Sequence, residues 1–166
     1  MPDPLQGRLV RLRALEPEDE PLLYRWINDP QVTETLAARY PMSHQQERDW
    51  IAASSISHAA AQFGVEALDD GALIGTVRHS AVTEPANREA TLGIFIGETE
   101  RWGQGYGTDA VRTLCRFGFE MMNLHRIQLD VLAGNDRAIC RLTGASASPS
   151  KAPGARPSTS SAATRT

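Results

Sequence analysis

Apolar residues recur along the first 140 positions with two periods, one of strands and one of helices. Leu9, Val10 and Leu12 mark a first strand. Pro17 has the fixed φ of a helix start, and Glu16, Glu18 and Asp19 sit at its positive end. Leu22, Leu23 and Trp26 then form an apolar stripe, which Asn28-Asp29-Pro30 breaks. Ser43-x-x-Gln46 has the form of a capping box and predicts a helix through Trp50 and Ile51. Phe63, Val65 and Leu68 predict a second strand, Asp69-Asp70-Gly71 a turn, and Leu73 to His79 a third strand. Ala90 to Gly97 reads as a fourth. A helix from about Gly107 to Met122 places Val111, Leu114, Cys115, Gly118 and Met122 on one side. Arg126 to Leu132 is a fifth strand. The fold class expected is α/β with a mixed sheet, and the order holds no internal repeat.

The pattern stops near Cys140. The chain then runs RLTGASASPSKAPGARPSTSSAATRT, with no aromatic residue and Leu142 as the only aliphatic beyond alanine. Such a segment buries too little apolar surface to offset about 1–2 kcal/mol of backbone entropy per residue. The expected organisation is one domain over residues 1–143 and a disordered Ser/Ala/Pro-rich tail over 144–166. A chain of 166 residues with 41% hydrophobic and 22% charged residues has room for one such core.

Lys and Arg number 17 against 20 Asp and Glu, a net charge of −3, which argues against a non-specific grip on nucleic acid. No apolar run approaches the roughly 20 residues of a membrane span, and MPDPLQGRLV carries no apolar signal region. Cys115 and Cys140 lack Cys-x-x-Cys spacing, so neither a disulfide framework nor a zinc knuckle is expected, and the cytoplasm is the expected compartment. His44, His58 and His125 have no metal-ligand spacing, so no metal is expected.

The chemistry concentrates in Gly97-Glu98-Thr99-Glu100-Arg101-Trp102-Gly103-Gln104-Gly105-Tyr106-Gly107-Thr108, where a strand runs into a glycine-rich turn and a helix leaves it. The first N–H groups of a helix have no intrahelical partner, and glycines let the preceding backbone curl so that such groups converge on an anion. The segment is thereby a candidate phosphate or diphosphate cradle. It has no lysine for a Walker loop, and glycines at 103, 105 and 107 do not make the dinucleotide fingerprint. A tight turn without a ligand and a nicotinamide- or nucleotide-binding module remain as alternatives.

Arg101 to Ala110 resembles motif A of the GCN5-related N-acetyltransferases (GNAT), written [Gln/Arg]-x-x-Gly-x-[Gly/Ala]. Gly105 and Gly107 fill its glycine positions, and Trp102 stands at the Gln/Arg position as a departure. The ribosomal-protein alanine N-acetyltransferase (RimJ/RimL-like) branch is similar in further places. These are Arg11-Leu12-Arg13 before an acidic helix start, Trp26-x-Asn28-Asp29-Pro30, Ile74-Gly75, Asn123-Leu124-His125-Arg126 and Ala133-Gly134-Asn135-Asp136-Arg137-Ala138-Ile139. The likeness covers roughly residues 8 to 140.

The resemblance implies acetyl-CoA as co-substrate and an amine as acceptor, a protein N-terminus or a small amine. It implies fourth and fifth strands that splay apart to admit the pantetheine arm, with Phe95 and Ile96 meeting the arm. It implies loop amides of Trp102, Gly103, Gln104, Gly105, Tyr106, Gly107 and Thr108 on the diphosphate, and Asn135 as a side-chain contact, a role beside that of helix N-cap. A base must take a proton before the amine attacks. Relatives often carry Glu in the fourth strand where this chain has Thr91, so the candidates for a catalytic base are Glu89, one place off and by period two on the opposite face, and His79, which either acts through water or, as its position favours, is an exposed strand-end histidine without a role. Glu98 and Glu100 read as solvated. Tyr106 has no assignable acid role. Oligomeric state is left open, a dimer included.

The family ending after Asn-x-x-Ala carries a Tyr-bearing helix, Gly-Phe and two closing strands, which this chain lacks. Lys151 is the only lysine, which points to a GC-rich gene with few out-of-frame stops. One permitted set of codons for Arg141 to Thr166, read from each third base, spells AYGSLGFAVEGTRREALYVERRYAD. This is a likeness of the missing ending and suggests a shift of frame between Ile139 and Arg141. The expected fold is therefore a GNAT fold without its normal C-terminal strands. The alternative function is a catalytically impaired CoA-binding remnant.

Overall fold

The computed structural model describes residues 3–34, 36, 40–53, 60–83, 88–132, 135 and 159–165. Six strands form one sheet in the order β1 to β6: β1 Val10–Arg13, β2 Ala61–Ala67, β3 Leu73–Thr83, β4 Glu89–Ile96, β5 Arg126–Leu132 and β6 Thr159–Arg165. Neighbours are antiparallel except β4 and β5, which run parallel. Parallel neighbours need a crossover, and the helix α4, Tyr106–Glu120, supplies it. The other helices are α1 Glu20–Ile27, α2 Pro30–Thr33 and α3 His44–Ala53.

Local chemistry sets these boundaries. Ser43 and Gln46 close the predicted capping box: the Ser43 N–H donates to Gln46 Oε1 at 2.8 Å, and the Gln46 N–H to Ser43 Oγ at 3.2 Å. Pro17–Asp19 is a 3-10 turn ahead of α1. The break at Asn28-Asp29-Pro30 ends α1 but also starts α2. Asp29 accepts the Gln31 N–H at 2.9 Å, and Pro30 fits a first helical position.

The sheet has an apolar face on each side. Val10, Leu12, Phe63, Val77, Leu92 and Ile127 pack with Ala110 and Leu114 of α4. On the opposite side Leu23, Trp26, Val32, Ile51 and Leu73 form a second core with α1, α2 and α3. Trp26 and Phe63 are among the largest fully buried side chains. Each large side chain withdrawn from water in this way stabilises the fold by roughly 1.5–3 kcal/mol.

One expectation is corrected. His79 does not end its strand in solvent. β3 continues to Thr83, and His79 is 0% exposed beneath α4. Residues 159–165 form β6 along the outer edge of β5, from Arg126↔Arg165 to Leu132↔Thr159. Strand pairing is a main-chain interaction, so a stretch of Thr, Ser and Ala without proline meets its demands even with no aliphatic side chain. Ile139 to Arg141 lie outside the described residues, as do 144–158.

Candidate active site

β4 and β5 begin together and then part. Their register runs from Glu89↔Arg126 to Leu92↔Leu129 and stops there, although β4 continues to Ile96 and β5 to Leu132. Among the described residues Gly93–Ile96 pairs with β3 alone, through Arg78↔Gly93, Val77↔Ile94, Thr76↔Phe95 and Gly75↔Ile96. The Gly97 N–H donates to the Ile74 carbonyl at 2.8 Å. By antiparallel alternation the main-chain groups of Phe95 and Gly93 also turn to β3, and those of Ile94 and Ile96 turn to the gap. The Ile96 carbonyl accepts the Trp102 indole N–H at 2.7 Å. The Ile94 N–H and carbonyl and the Ile96 N–H therefore face the gap.

Phe95, expected beside the pantetheine arm, turns its main chain to β3 and not to the gap. Its backbone pairs with β3, and its ring meets Trp26 edge-on at 6.3 Å, on the side away from α4. Ile94, which the sequence pattern does not single out, turns its main chain to the gap beside Ile96. Alternation along a strand decides which residue faces a gap, and that phase needs a register that sequence does not supply.

The glycine loop closes one end of the gap. A 3-10 turn, Thr99–Arg101, leads to Gly103 at φ 77° and Gly105 at φ 96°, both in the region that favours glycine. Gly105 caps α4 without any side-chain bond. The Trp102 N–H donates to the Thr99 carbonyl at 3.1 Å, so this amide is already used, and Gly103 is also engaged. The first helical bond of α4 is Asp109 N–H to Gly105 carbonyl, at 3.0 Å. Among the described residues the N–H groups of Gln104, Gly105, Tyr106, Gly107 and Thr108 have no partner. They stand at the positive end of a 15-residue helix, beside Ile94 and Ile96: a Cβ on Gly107 would lie 3.6 Å from Ile96 and 3.9 Å from Ile94.

Side chains without a motif of their own fix this loop. Tyr106 is 7% exposed, and its phenol donates to Asp69 Oδ2 at 3.0 Å. Arg101 donates to the same oxygen at 2.7 Å, to the Tyr106 hydroxyl at 2.9 Å, and to Asp70. The hydrogen bond from Arg101, then that from Tyr106, holds the Asp69 carboxyl below its ordinary range. The Tyr106 phenol is thus spent on structure. Asp109, in the first turn of α4, accepts the N–H groups of Leu9 at 2.8 Å and Val10 at 3.2 Å, tying α4 to β1. Glu98 is not simply solvated, since it accepts from Trp26 Nε1 at 3.1 Å and from Arg25. Trp26 in turn packs on Gly97, where a Cβ would run into its ring.

Neither expected base reaches the gap. Glu89 begins β4 and pairs with Arg126 at 3.5 Å. It stands five residues before Ile94, about 17 Å along the strand. His79 bonds through Nε2 to the Leu114 carbonyl at 3.1 Å, and its buried Nδ1 has no partner. Burial lowers its pKa and keeps it neutral. Asn135 lies half-buried beyond the end of β5 and is engaged. Among the described residues no group of three or more His, Cys, Asp or Glu is placed to hold a metal ion, and no helix is long and apolar enough to cross a membrane.

The sequence profile of the acetyltransferase (GNAT) domain matches residues 9–143. An uncharacterized N-acetyltransferase of Bacillus licheniformis, p20, is 30% identical over 133 residues, 78% of this chain and 74% of its own. Two solved structures share the fold. The spermidine N-acetyltransferase of Vibrio cholerae, in complex with CoA and spermine, has a TM-score of 0.71 at 24% identity, covering 79% of this chain and 76% of its own. RimL, a ribosomal L7/L12 α-N-protein acetyltransferase in complex with coenzyme A, has a TM-score of 0.71 at 17% identity, covering 82% and 78%. The chain belongs to the GNAT acetyltransferase family and is an acetyl-CoA-dependent N-acetyltransferase.

Proposed function

We propose that this N-acetyltransferase acetylates a primary amine, at a protein N-terminus or on a small molecule, by direct attack in the gap between β4 and β5. Residues 1–143 are assigned as its catalytic domain. The observation that carries the reading is the set of unengaged amides from Gln104 to Thr108 beside a strand edge with free main-chain groups.

These residues fit acetyl-CoA. The five amides and the dipole of α4 suit a diphosphate, and Ile94 and Ile96 offer amide and carbonyl groups to an extended, amide-bearing arm. Acetyl-CoA would supply an acetyl thioester: as an uncharged amine bonds its carbonyl carbon, the C–S bond breaks and the CoA thiolate leaves, taking a proton from water. Ile94 and Ile96 lie on the α4 side of the strand, so the acceptor must enter from the opposite face, the face of Thr91 and Gly93. There Thr91 accepts the Gln128 amide at 3.3 Å, and its carbonyl accepts the Ser80 hydroxyl at 3.3 Å. These groups orient an amine and do not ionise near neutrality. Glu89 is distant, His79 sealed and Tyr106 committed, so among the described residues no side chain takes the proton of the amine, and we assign that transfer to water.

The test is acetyl-CoA binding followed by thiol release with a panel of amines. Saturable acetyl-CoA binding together with amine-dependent thiol release supports the reading. Binding without release from any amine leaves only the remnant.

A further inference from the structure

We infer that Arg78 is a specificity-determining residue that selects acceptors carrying a carboxylate close to the reacting amine. The inference rests on the proposed entry of the acceptor from the face opposite α4.

Gly93 is the first residue of β4 without a partner on β5, so it marks the point where the gap opens. Its partner on β3 is Arg78, which is exposed. The Arg78 side chain lies across Gly93: a Cβ there would meet Nε at 3.1 Å, Cγ at 3.4 Å and Cδ at 3.8 Å. A guanidinium therefore stands at the opening, on the face from which the amine arrives. Among the described residues it has no hydrogen bond or ion pair.

Two other arginines on this face have carboxylate partners, although the buried Nε of Arg126 has no hydrogen-bond partner among the described residues. Arg13 bonds Asp19 at 2.8 and 2.9 Å and Glu66 at 3.0 Å. Arg126 pairs with Glu89. Beside Gly93, Ser80, Thr91 and Gln128 are polar and neutral. Among the described residues Arg78 is thus a guanidinium without a carboxylate partner beside the reacting position. The net charge of −3 favours cations only at long range, and charges more than about 8–10 Å away are screened at physiological salt. Near the site, the fork of an arginine binds a carboxylate in a bidentate way and repels a second ammonium. A peptide with Asp or Glu next to its N-terminus fits this arrangement, as does a free acidic amino acid. A polyamine does not.

The experiment uses the full chain loaded with acetyl-CoA. Thiol release is measured with a short peptide beginning Ala-Glu-Glu, its Ala-Lys-Lys counterpart, free glutamate and spermidine. The expected kcat/KM for the acidic peptide exceeds those for the basic peptide and spermidine at least tenfold, and the margin shrinks with added salt. Arg78→Gln flattens the preference and Arg78→Glu reverses it, while both variants keep the wild-type Kd for acetyl-CoA. Glutamate as effective as the peptide identifies an amino-acid acceptor, and a silent glutamate identifies a peptide; both agree with the inference. Equal rates for acidic and basic acceptors, or a preference unmoved in Arg78→Glu, overturn it. If no amine releases thiol, the transferase reading fails separately. The same peptides are then titrated into the CoA-loaded chain: tighter binding of the acidic one, lost in Arg78→Glu, upholds the inference, and equal affinities overturn it.

Discussion

The Tyr106 hydroxyl donates to Asp69 across 37 positions of sequence, and this bond fastens the glycine loop to the turn between β2 and β3. Arg101 completes the fastening from the loop side, bonding both Asp69 and the hydroxyl and lying 5.4 Å from the centre of the tyrosine ring. The loop can hold its amides open because its shape is fixed from outside.

Asp69→Asn and Arg101→Gln should each weaken acetyl-CoA binding several-fold, with little change in melting temperature, because these groups sit at the surface. Asp69 has its pKa held below the ordinary 3.8, so its contribution is present above that value and is lost only as pH falls through the lowered pKa. Wild-type affinity for acetyl-CoA should therefore show no loss from this clamp between pH 7 and pH 5. Titration calorimetry across that range checks it.

His79 predicts a pH dependence of stability with the opposite location. Its folded-state pKa is lowered from 6.5 by burial, so the unfolded chain binds the proton more readily. Stability is full above about pH 6.5 and falls as pH drops from there toward the folded pKa, by up to about 1.4 kcal/mol per pH unit. Denaturant melts of wild type and His79→Gln at pH 7.5 and 5.5 should show a shallower fall in the variant. An equal fall in both would remove His79 as the cause.

Gly105→Ala places a side chain at φ 96°, a strain of about 1–2 kcal/mol, though the space itself is open, with Leu9 at 3.5 Å. Gly105→Asp adds a negative charge beside the amides. Acetyl-CoA affinity should fall a few-fold in the first and at least tenfold in the second, with circular dichroism unchanged. Equal, small losses in both would locate the diphosphate elsewhere.

Trp102→Phe removes the indole N–H that holds the Ile96 carbonyl. A freed carbonyl at the edge of the gap should raise the KM for acetyl-CoA about three- to tenfold while kcat changes little, since the face proposed for the acceptor is the other one. A loss confined to kcat would contradict the placement of Trp102.

Much of this architecture is legible in sequence because its signals are local. The capping box at Ser43 and Gln46, the apolar stripe of α4 and the limits of β5 at Arg126 and Leu132 all follow from neighbours a few residues apart. The failures are non-local. Exposure of His79 depends on α4 crossing over it, and the roles of Phe95 and Ile94 depend on the phase of β4 against β3. Tyr106 and Asp109 read as loop and helix residues until Asp69 and the start of β1 come beside them. The tail is a different case: the codon argument for a frame shift between Ile139 and Arg141 concerns the gene, and the DNA sequence there decides it. Codons that cannot spell AYGSLGFAVEGTRREALYVERRYAD would end that proposal.

The central claim is that the amides of Gln104 to Thr108 seat the diphosphate of acetyl-CoA. It is tested most directly by following the backbone amide resonances of the 15N-labelled chain during titration with acetyl-CoA and with S-acetyl-N-acetylcysteamine, which carries the thioester but no diphosphate. The expected result is large shifts at Gln104, Gly105, Tyr106, Gly107 and Thr108 with acetyl-CoA and none there with the truncated thioester. Saturation by acetyl-CoA with those five resonances unmoved would contradict it.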